Sequence, residues 1–256
     1  MIRRALLVLA ALAAGVVLAG CGGDDESAGT TDAVTTTEPG ETTDLRVYWL
    51  RDGKVWPTAR EVEESEAVAE ASLEELLSGP TSQEDSDLQV TTAIPEGTTV
   101  GSVAIDDGVA SVELSAELPE EPLAQVVYTV TQFPTVESVE IGGESYTRAD
   151  FEDLTPAILV ESPLAFQEVG NPVRATGTAN TFEANFHYEL TDTDGRIVDE
   201  NFVTATSGSG ERGTFDFTTS EYEIPFDGIG ELIVFERSAE DGSRINLVEI
   251  PVRMSR

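Results

Sequence analysis

The chain has 256 residues, with 14 lysines and arginines against 49 aspartates and glutamates, and its formal net charge is −35 at pH 7. This balance argues against nucleic acid binding, which needs a basic face for the phosphates, and equally against binding of a folded part to anionic lipid head groups. The single cysteine and single histidine exclude an intramolecular disulfide, a cysteine-based metal site and a redox cysteine pair.

The N-terminal run MIRRALLVLAALAAGVVLAGC combines a short basic head with an apolar stretch that ends in small residues. This pattern predicts a secretory signal peptide over residues 1–20, because the apolar stretch is too short for a comfortable membrane span. The last four residues, LAGC, resemble the bacterial lipobox. That resemblance implies cleavage before Cys21 and lipidation of its thiol by diacylation or triacylation, with fatty acids such as palmitate. The alternative is an ordinary signal peptide with a chance cysteine.

Residues 21–44 are rich in Gly, Thr, Ser and acidic side chains, and Val34 is the one large apolar residue among them. Such a segment cannot bury a core, so it is predicted to be a disordered tether. Its root-mean-square span would be on the order of 25 Å. The tether would therefore lift a folded body off a membrane surface.

The first half of the remaining chain mixes strand and helix patterns. LRVYWLR (45–51) predicts a strand, and KVWPTARE (54–61) predicts an edge strand because it carries Pro57. ESEAVAEASLEELLSGP (64–80) has leucines at helical spacing and a Gly-Pro stop, which predicts a helix.

Further along, TTVGSVAI and VASVEL flank Asp106-Asp107-Gly108, which predicts a hairpin. The segment 122–133, PLAQVVYTVTQF, is rich in Val and Thr, as strands are, yet its apolar residues recur at helical spacing. We favour a helix there and a strand over 136–142. The order predicts an α+β unit with helices packed on one face of a sheet.

The second half alternates between apolar and polar residues, as half-buried strands do. In TFEANFHYELT, alternate residues from Phe182 to Leu190 are expected to share one face. Asp194-Gly195 and Asp241-Gly242 predict hairpin turns. Seven or so strands in about 100 residues predict an immunoglobulin-like sandwich that holds by packing alone.

Long runs of this sequence resemble two known families. Residues 45–146 resemble a GerMN domain, through LLSGP (76–80), 93–115 and 125–144, and residues 157–254 resemble the immunoglobulin-like domain of bacterial spore germination proteins. The runs that carry the second resemblance are TPAILVESPL (155–164), VRATGTANTFEANFHYEL (173–190) and SAEDGSR (238–244).

The resemblance implies a non-catalytic, lipid-anchored envelope protein on the outer face of the bacterial cytoplasmic membrane. It would act as a scaffold or assembly partner of other envelope proteins of the sporulation or germination type, because GerMN domains are similar to ring-building folds of sporulation channel proteins. The fold class expected is α+β: a small GerMN domain followed by an all-β immunoglobulin-like sandwich.

The residue inventory itself offers no catalytic residue, metal site or cofactor site. His187 lies between Phe186 and Tyr188 and is expected on the polar face of its strand, facing solvent, and no Gly-x-Ser-x-Gly turn is present. Pairs of carboxylates are inevitable among 49 acids, so a glycosidase stays open only if a groove holds inward-facing carboxylates.

DTDG (192–195) echoes a calcium loop, but its twelfth position is Val203 rather than the glutamate of an EF-hand, so we interpret it as a hairpin turn. Trp49 and Trp56 are interpreted as core residues. Their alternative role, an aromatic surface, belongs to the second hypothesis for function: a ligand-binding module for peptidoglycan, a small germinant or Ca²⁺.

Overall fold

The computed structural model describes residues 42–63, 65 and 67–256. The predicted signal peptide, the proposed lipid attachment at Cys21 and most of the tether lie outside these residues. The first strand begins at Thr42, three residues before the expected start of the folded part at 45. None of the helices in the described part is long and apolar enough to cross a membrane.

The first part of the described chain interleaves strands with helices. Its elements are β1 Thr42–Arg51, β2 Lys54–Glu63, α1 Val68–Ser78, α2 Ser82–Leu88, β3 Val100–Asp106, β4 Val109–Leu114, α3 Glu120–Val130, β5 Ser138–Ile141 and β6 Glu144–Tyr146. β1 and β2 form an antiparallel hairpin. β3, β4, β5 and β6 form a four-stranded sheet in that order, and its central strands β4 and β5 are parallel neighbours connected by α3. The predicted hairpin at Asp106-Asp107-Gly108 is confirmed.

Helix α3 resolves the ambiguous segment as a helix, as we favoured. It begins at Glu120, so Pro122 lies in the first turn, where a backbone N–H has no partner within the helix. Its side chains are buried from Ala124 to Val130, which packs it on all sides. Among them, the Gln125 amide donates to the Tyr48 carbonyl at 3.0 Å and accepts from the Ala93 N–H at 2.8 Å. Tertiary packing therefore outweighs the strand preference of its valines and threonines.

Helix α1 ends as predicted at Gly79, whose φ of +83° suits glycine. Helix α2 was missed. Its signal is Thr81-x-x-Glu84, a capping box in which the Thr81 side chain accepts from the Glu84 N–H and the Glu84 carboxylate accepts from the Thr81 N–H. The predicted edge strand β2 is confirmed, with Pro57 opposite Tyr48.

The second part follows a 3-10 segment, Arg148–Leu154, and is a sandwich of two sheets. Its strands are β7 Ile158–Ser162, β8 Glu168–Val169, β9 Arg174–Ala179, β10 Asn185–Thr191, β11 Ile197–Thr204, β12 Gly213–Thr218, β13 Gly228–Arg237 and β14 Arg244–Met254. One sheet has the order β11-β10-β13-β14-β8 and the other β12-β9-β7. The hairpins at Asp194-Gly195 and Asp241-Gly242 are confirmed.

The expected alternation fails at the start of β10. Phe182 is 64 % exposed and lies in a 3-10 turn in which Glu183 and Ala184 have positive φ. The strand begins at Asn185, and Phe186, Tyr188 and Leu190 then face the core as predicted. The overall α+β class is confirmed.

Candidate functional site

The junction of the two parts is built around a half-buried ion pair. Arg148 begins the 3-10 segment, and its Nη1 lies 2.8 Å from Oε1 of Glu161, which sits on β7 of the sandwich. The Tyr48 hydroxyl, from β1, donates to the same carboxylate oxygen. Side-chain exposure is only 25 % for Arg148 and 14 % for Glu161. We call Tyr48, Arg148 and Glu161 the junction triad.

Arg148 makes further contacts that fix its guanidinium. Its Nε donates to the Thr131 hydroxyl at 2.7 Å, and its Nη2 donates to the Tyr128 carbonyl at 3.3 Å. The guanidinium carbon lies 4.7 Å from the ring centre of Tyr128 and 5.5 Å from that of Tyr48. Aromatic faces attract a cation at such distances, so Arg148 joins α3, β1 and β7 in one contact set.

Burial and the neighbouring charges determine the protonation states of the triad. Burial raises the pKa of the Tyr48 hydroxyl, and the neighbouring Glu161 charge raises it further, so the hydroxyl stays protonated and donates. Burial opposes ionisation of Glu161, but the Arg148 charge and the bonds from Tyr48 and Arg148 outweigh it and hold its pKa below the usual value. A protonated phenol, a carboxylate and a guanidinium that satisfy one another form a structural contact and leave no activated nucleophile.

A second polar link joins the 3-10 segment to the sandwich. Arg212, before β12, makes two parallel bonds to Glu152, with Nε to Oε2 at 2.8 Å and Nη2 to Oε1 at 2.9 Å. Its Nη2 also donates to the Pro156 carbonyl at 2.9 Å, and Asn180 donates to Glu152 at 2.8 Å. Such a two-bond pair restricts orientation as well as distance.

Apolar packing closes the same junction. Trp56 and Pro57 of β2 lie against residues 158–165 of the sandwich, with Val248 and Ile250, and the cavity left among them has a volume of about 10 Å³. Interiors packed to this degree transmit displacement rather than absorb it. The indole Nε1 of Trp56 is buried and has no hydrogen-bond partner among the described residues.

The interpretation of both tryptophans as core residues is confirmed. Trp49 is fully buried, with its Nε1 donating to Thr58 at 2.8 Å, and Trp56 is buried at the junction. Neither lines an open pocket of the kind that an aromatic binding surface requires.

The expectation that His187 lies on the polar face of its strand agrees with the structure, but the residue is half-buried rather than freely exposed. It lies on the sheet face away from the core, but its ring stacks on Phe235 at 5.6 Å and its Nδ1 is buried without a partner in the described chain. Burial lowers its pKa, and the nearby Arg237 charge lowers it further. Without a carboxylate to orient it, the imidazole lacks the arrangement of a general base.

The DTDG stretch forms the predicted turn. The Asp192 carboxylate is buried and accepts from the N–H groups of Asp194 and Arg196, each at 3.0 Å, and from the Arg196 guanidinium at 2.9 Å. These bonds, made within the hairpin, account for its oxygens. No cluster of His, Cys, Asp and Glu suited to a metal ion occurs within residues 42–63, 65 and 67–256.

The carboxylate-lined groove in the first part is open. It has a volume of about 790 Å³ and is lined by Glu113, Glu117 and Glu144 near Tyr146. All three carboxylates are exposed. An acid and base pair for glycoside cleavage needs one carboxyl group that is shielded from water, and these three exposed carboxylates do not provide it.

Sequence reasoning did not single out Arg148, Glu161, Glu152 or Arg212. The first family resemblance ends at 146 and the second begins at 157, and Arg148 and Glu152 lie between them. The available signal was the charge of Glu161 directly after the apolar run AILV of β7. A charged side chain in such a position is rarely buried without a partner.

Two family models match the chain. Residues 46–145 match the family described as sporulation and spore germination, and residues 157–243 match the immunoglobulin-like domain of bacterial spore germination. The family resemblance that the sequence indicated is confirmed. No curated protein matches the chain.

Parts of the chain are similar to solved structures. The tandem GerMN domains of the sporulation protein GerM from Bacillus subtilis are 21 % identical over 44 % of this chain and 43 % of that one, with a TM-score of 0.35. The first GerMN domain of the same protein is 26 % identical over 41 % and 86 %, with a TM-score of 0.31. CopC from Methylosinus trichosporium OB3b is 12 % identical over 38 % and 91 %, with a TM-score of 0.26. The chain thus spans less than half of the tandem-domain structure.

Proposed function

We propose that this protein has a non-catalytic scaffold role in the cell envelope. Its matches to a sporulation and spore germination family and to an immunoglobulin-like domain of bacterial spore germination support this role. The protein is exported and held on the outer face of a bacterial cytoplasmic membrane by a lipid on Cys21. There it joins other envelope proteins in an assembly of the sporulation or germination type. Both family descriptions name a process rather than a reaction, which supports the non-catalytic part.

The junction is the observation that carries this proposal. The junction triad and the Arg212–Glu152 pair connect the two domains through charged groups, and Trp56 and Pro57 seal the space between them. A loose tandem of domains would show a solvated linker with few crossing contacts. Two domains held in a fixed orientation can present surfaces at a constant spacing, which an assembly of several proteins needs.

The test is proximity crosslinking and pull-down of the protein in its own cells. Three variants accompany the wild type: Cys21→Ala, Arg148→Met, and Arg174→Met as a matched control. Arg174 also pairs with a carboxylate, Asp216, at 2.5 Å, but that pair is exposed and joins two strands of the sandwich, β9 and β12, rather than the two parts of the chain. Circular dichroism of each purified variant establishes that it is folded.

We expect defined envelope proteins to be recovered with the wild type and Arg174→Met, and to be lost with Cys21→Ala because the anchor is missing. Arg148→Met should reduce recovery without loss of fold, because the fixed orientation is disturbed. Equal recovery with all variants would refute both the anchor and the need for a rigid junction. Recovery of cell-wall fragments in place of proteins would favour the ligand-binding module. Such a module would then have to use another surface, because both tryptophans are buried.

A further inference from the structure

The face of the five-stranded sheet that points away from the core carries an ordered pattern of side chains. The ring of His187 on β10 lies between its direct neighbours in register, Phe202 on β11 and Phe235 on β13. We call Phe202, His187 and Phe235 the aromatic row. Side chains on one face of a strand repeat at about 7 Å. The next row of side chains in one direction along the strands contains Glu200 and Glu189. In the opposite direction, the next row contains Arg237, which is paired in register with Arg244.

The inner end of the aromatic row is covered by cations. Phe235 is only 1 % exposed although it points away from the sandwich core. His187 stacks on it with an interplanar angle of 15°, and the guanidinium carbons of Arg244 and Arg237 lie 4.4 and 5.3 Å from its ring centre. An ordinary solvated sheet face does not bury a phenylalanine in this way.

The outer end of the row is left open. Phe202 is 65 % exposed, and a pocket of about 230 Å³ lies between it, His187, Phe235 and Arg237. Three rings contribute to its wall, and Glu189 and Glu200 line it at the end away from Arg237. Glu189 is paired with Arg244, so Glu200 is the carboxylate of the two that has no ion pair within the described chain. An apolar group of a ligand that entered it would remove Phe202 from water, which is the main source of binding free energy for such a site.

Two polar groups beside the pocket have few or no partners within the described chain. His187 Nδ1 is buried without a hydrogen-bond partner. Arg237 makes a hydrogen bond only to the Gly242 carbonyl, at 3.4 Å, and forms no ion pair with a described residue. Arg244, by contrast, is neutralised by Glu189 at 2.5 Å. Arg237 is exposed at the pocket, so its guanidinium can pair with a carboxylate from outside the chain.

We propose that this pocket binds an apolar side chain that lies directly beside a carboxylate, as at the C-terminal end of a peptide chain. The apolar side chain packs between Phe202 and the His187–Phe235 stack. The carboxylate accepts from Arg237, which lies at the end of the row away from Glu200. This site stands on the immunoglobulin-like domain alone, so it goes beyond the scaffold role and does not depend on the junction.

His187 provides a direct measurement because it is the only histidine in the chain. The purified protein is titrated with N-acetylphenylalanine, and with N-acetylphenylalanine amide as the neutral control, while the imidazole resonances are followed by NMR. For a ligand of this size we expect a Kd on the order of 1 mM, which the titration can measure. We expect a saturable shift with the carboxylate and at least about tenfold weaker binding of the amide.

Three variants make the test specific. Phe202→Ser should abolish saturable binding, and Arg237→Gln should reduce the preference for the carboxylate over the amide to about one. Phe182→Ser is the matched control, since Phe182 is exposed to nearly the same extent but lies outside the pocket, and it should bind as the wild type does. If Arg237→Gln perturbs the Phe235 packing, Arg237→Lys keeps the charge and should retain part of the preference. No saturable shift, equal binding of acid and amide, or an equal effect of Phe182→Ser would overturn the proposal.

Discussion

Replacement of Arg148 by methionine tests whether the junction triad holds the two domains together. Methionine keeps much of the stem volume but removes the charge and leaves the Glu161 carboxylate buried. Breaking a buried pair by removal of one partner costs about 3–5 kcal/mol. Because the pair is only half-buried and Arg46 lies near Glu161, with its Nη1 3.5 Å from the Glu161 carbonyl, we expect the lower end, about 3 kcal/mol. For a folded part of this size that lowers Tm by roughly 6–12 °C.

The pH dependence of this loss has a definite sign. In the wild type the pKa of Glu161 is lowered, so its contribution is present above the unfolded value of about 4.3 and is lost as the pH falls. In Arg148→Met, burial dominates and raises that pKa, so the variant loses stability as the pH rises above about 4.3. The difference in unfolding free energy between the two proteins should therefore grow from pH 3 to pH 7.

The assay is urea unfolding followed by circular dichroism at both pH values. Addition of Glu161→Gln to Arg148→Met should recover about 1–2 kcal/mol at pH 7, because no charge is then left buried and Tyr48 can still donate to the amide oxygen. A loss below about 1 kcal/mol for Arg148→Met, or the same loss at pH 3 and pH 7, would refute the assignment of a half-buried ion pair.

Other side chains allow equally direct tests. Gly177→Ala should lower stability by about 3 kcal/mol in thermal unfolding, because a Cβ there would lie 2.0 Å from the Leu159 carbonyl oxygen, whereas Gly101→Ala, with contacts of 3.5 Å, should change it by less than about 0.5 kcal/mol. Equal effects would contradict the close approach of β9 to β7. Burial opposes ionisation of Glu84, but bonds from Arg60, Thr58 and Thr81 outweigh it and lower its pKa to about 2. Its contribution is therefore present above about pH 4.3 and is lost as the pH falls towards 2. Glu84→Gln should cost about 2 kcal/mol at pH 7 and little near pH 2 in urea unfolding, and a loss independent of pH would count against this. Phe186→Ala should cost about 4 kcal/mol, and Phe182→Ala nearly nothing, since the first is fully buried and the second exposed; similar Tm values for the two variants would show that the core is misassigned.

Local backbone chemistry was readable from the sequence because it depends on neighbouring residues alone. The hairpin at Asp106-Asp107-Gly108 needs positive φ, which Asp107 and Gly108 adopt at 45° and 85°. Gly79 ends α1 for the same reason. The capping box of Thr81 and Glu84 was equally local and could have been recognised, which would have predicted α2.

Patterns of burial were readable only in part. The spacing of the apolar residues in α3 indicated a helix correctly. In β10, by contrast, the alternation from Phe182 onwards suggested a longer strand. The 3-10 turn at Glu183 and Ala184 interrupts it, and the Phe182 N–H instead donates to the Glu236 carboxylate at 2.7 Å. A contact between residues 54 positions apart has no signature in a local window.

The sequence by itself determined the α+β class, the order of the two family resemblances and the turns, because hydrophobic periodicity and turn chemistry act over a few residues. Tertiary structure alone decided which charged side chains would meet. Tyr48 and Glu161 are 113 positions apart, and Glu152 and Arg212 are 60 apart. The sequence contains 14 lysines and arginines that could pair with a given carboxylate. Only the packing of the two parts of the chain determines which of them lies within hydrogen-bonding distance. The environment of His187 was decided in the same way, because register across three strands places it between Phe202 and Phe235.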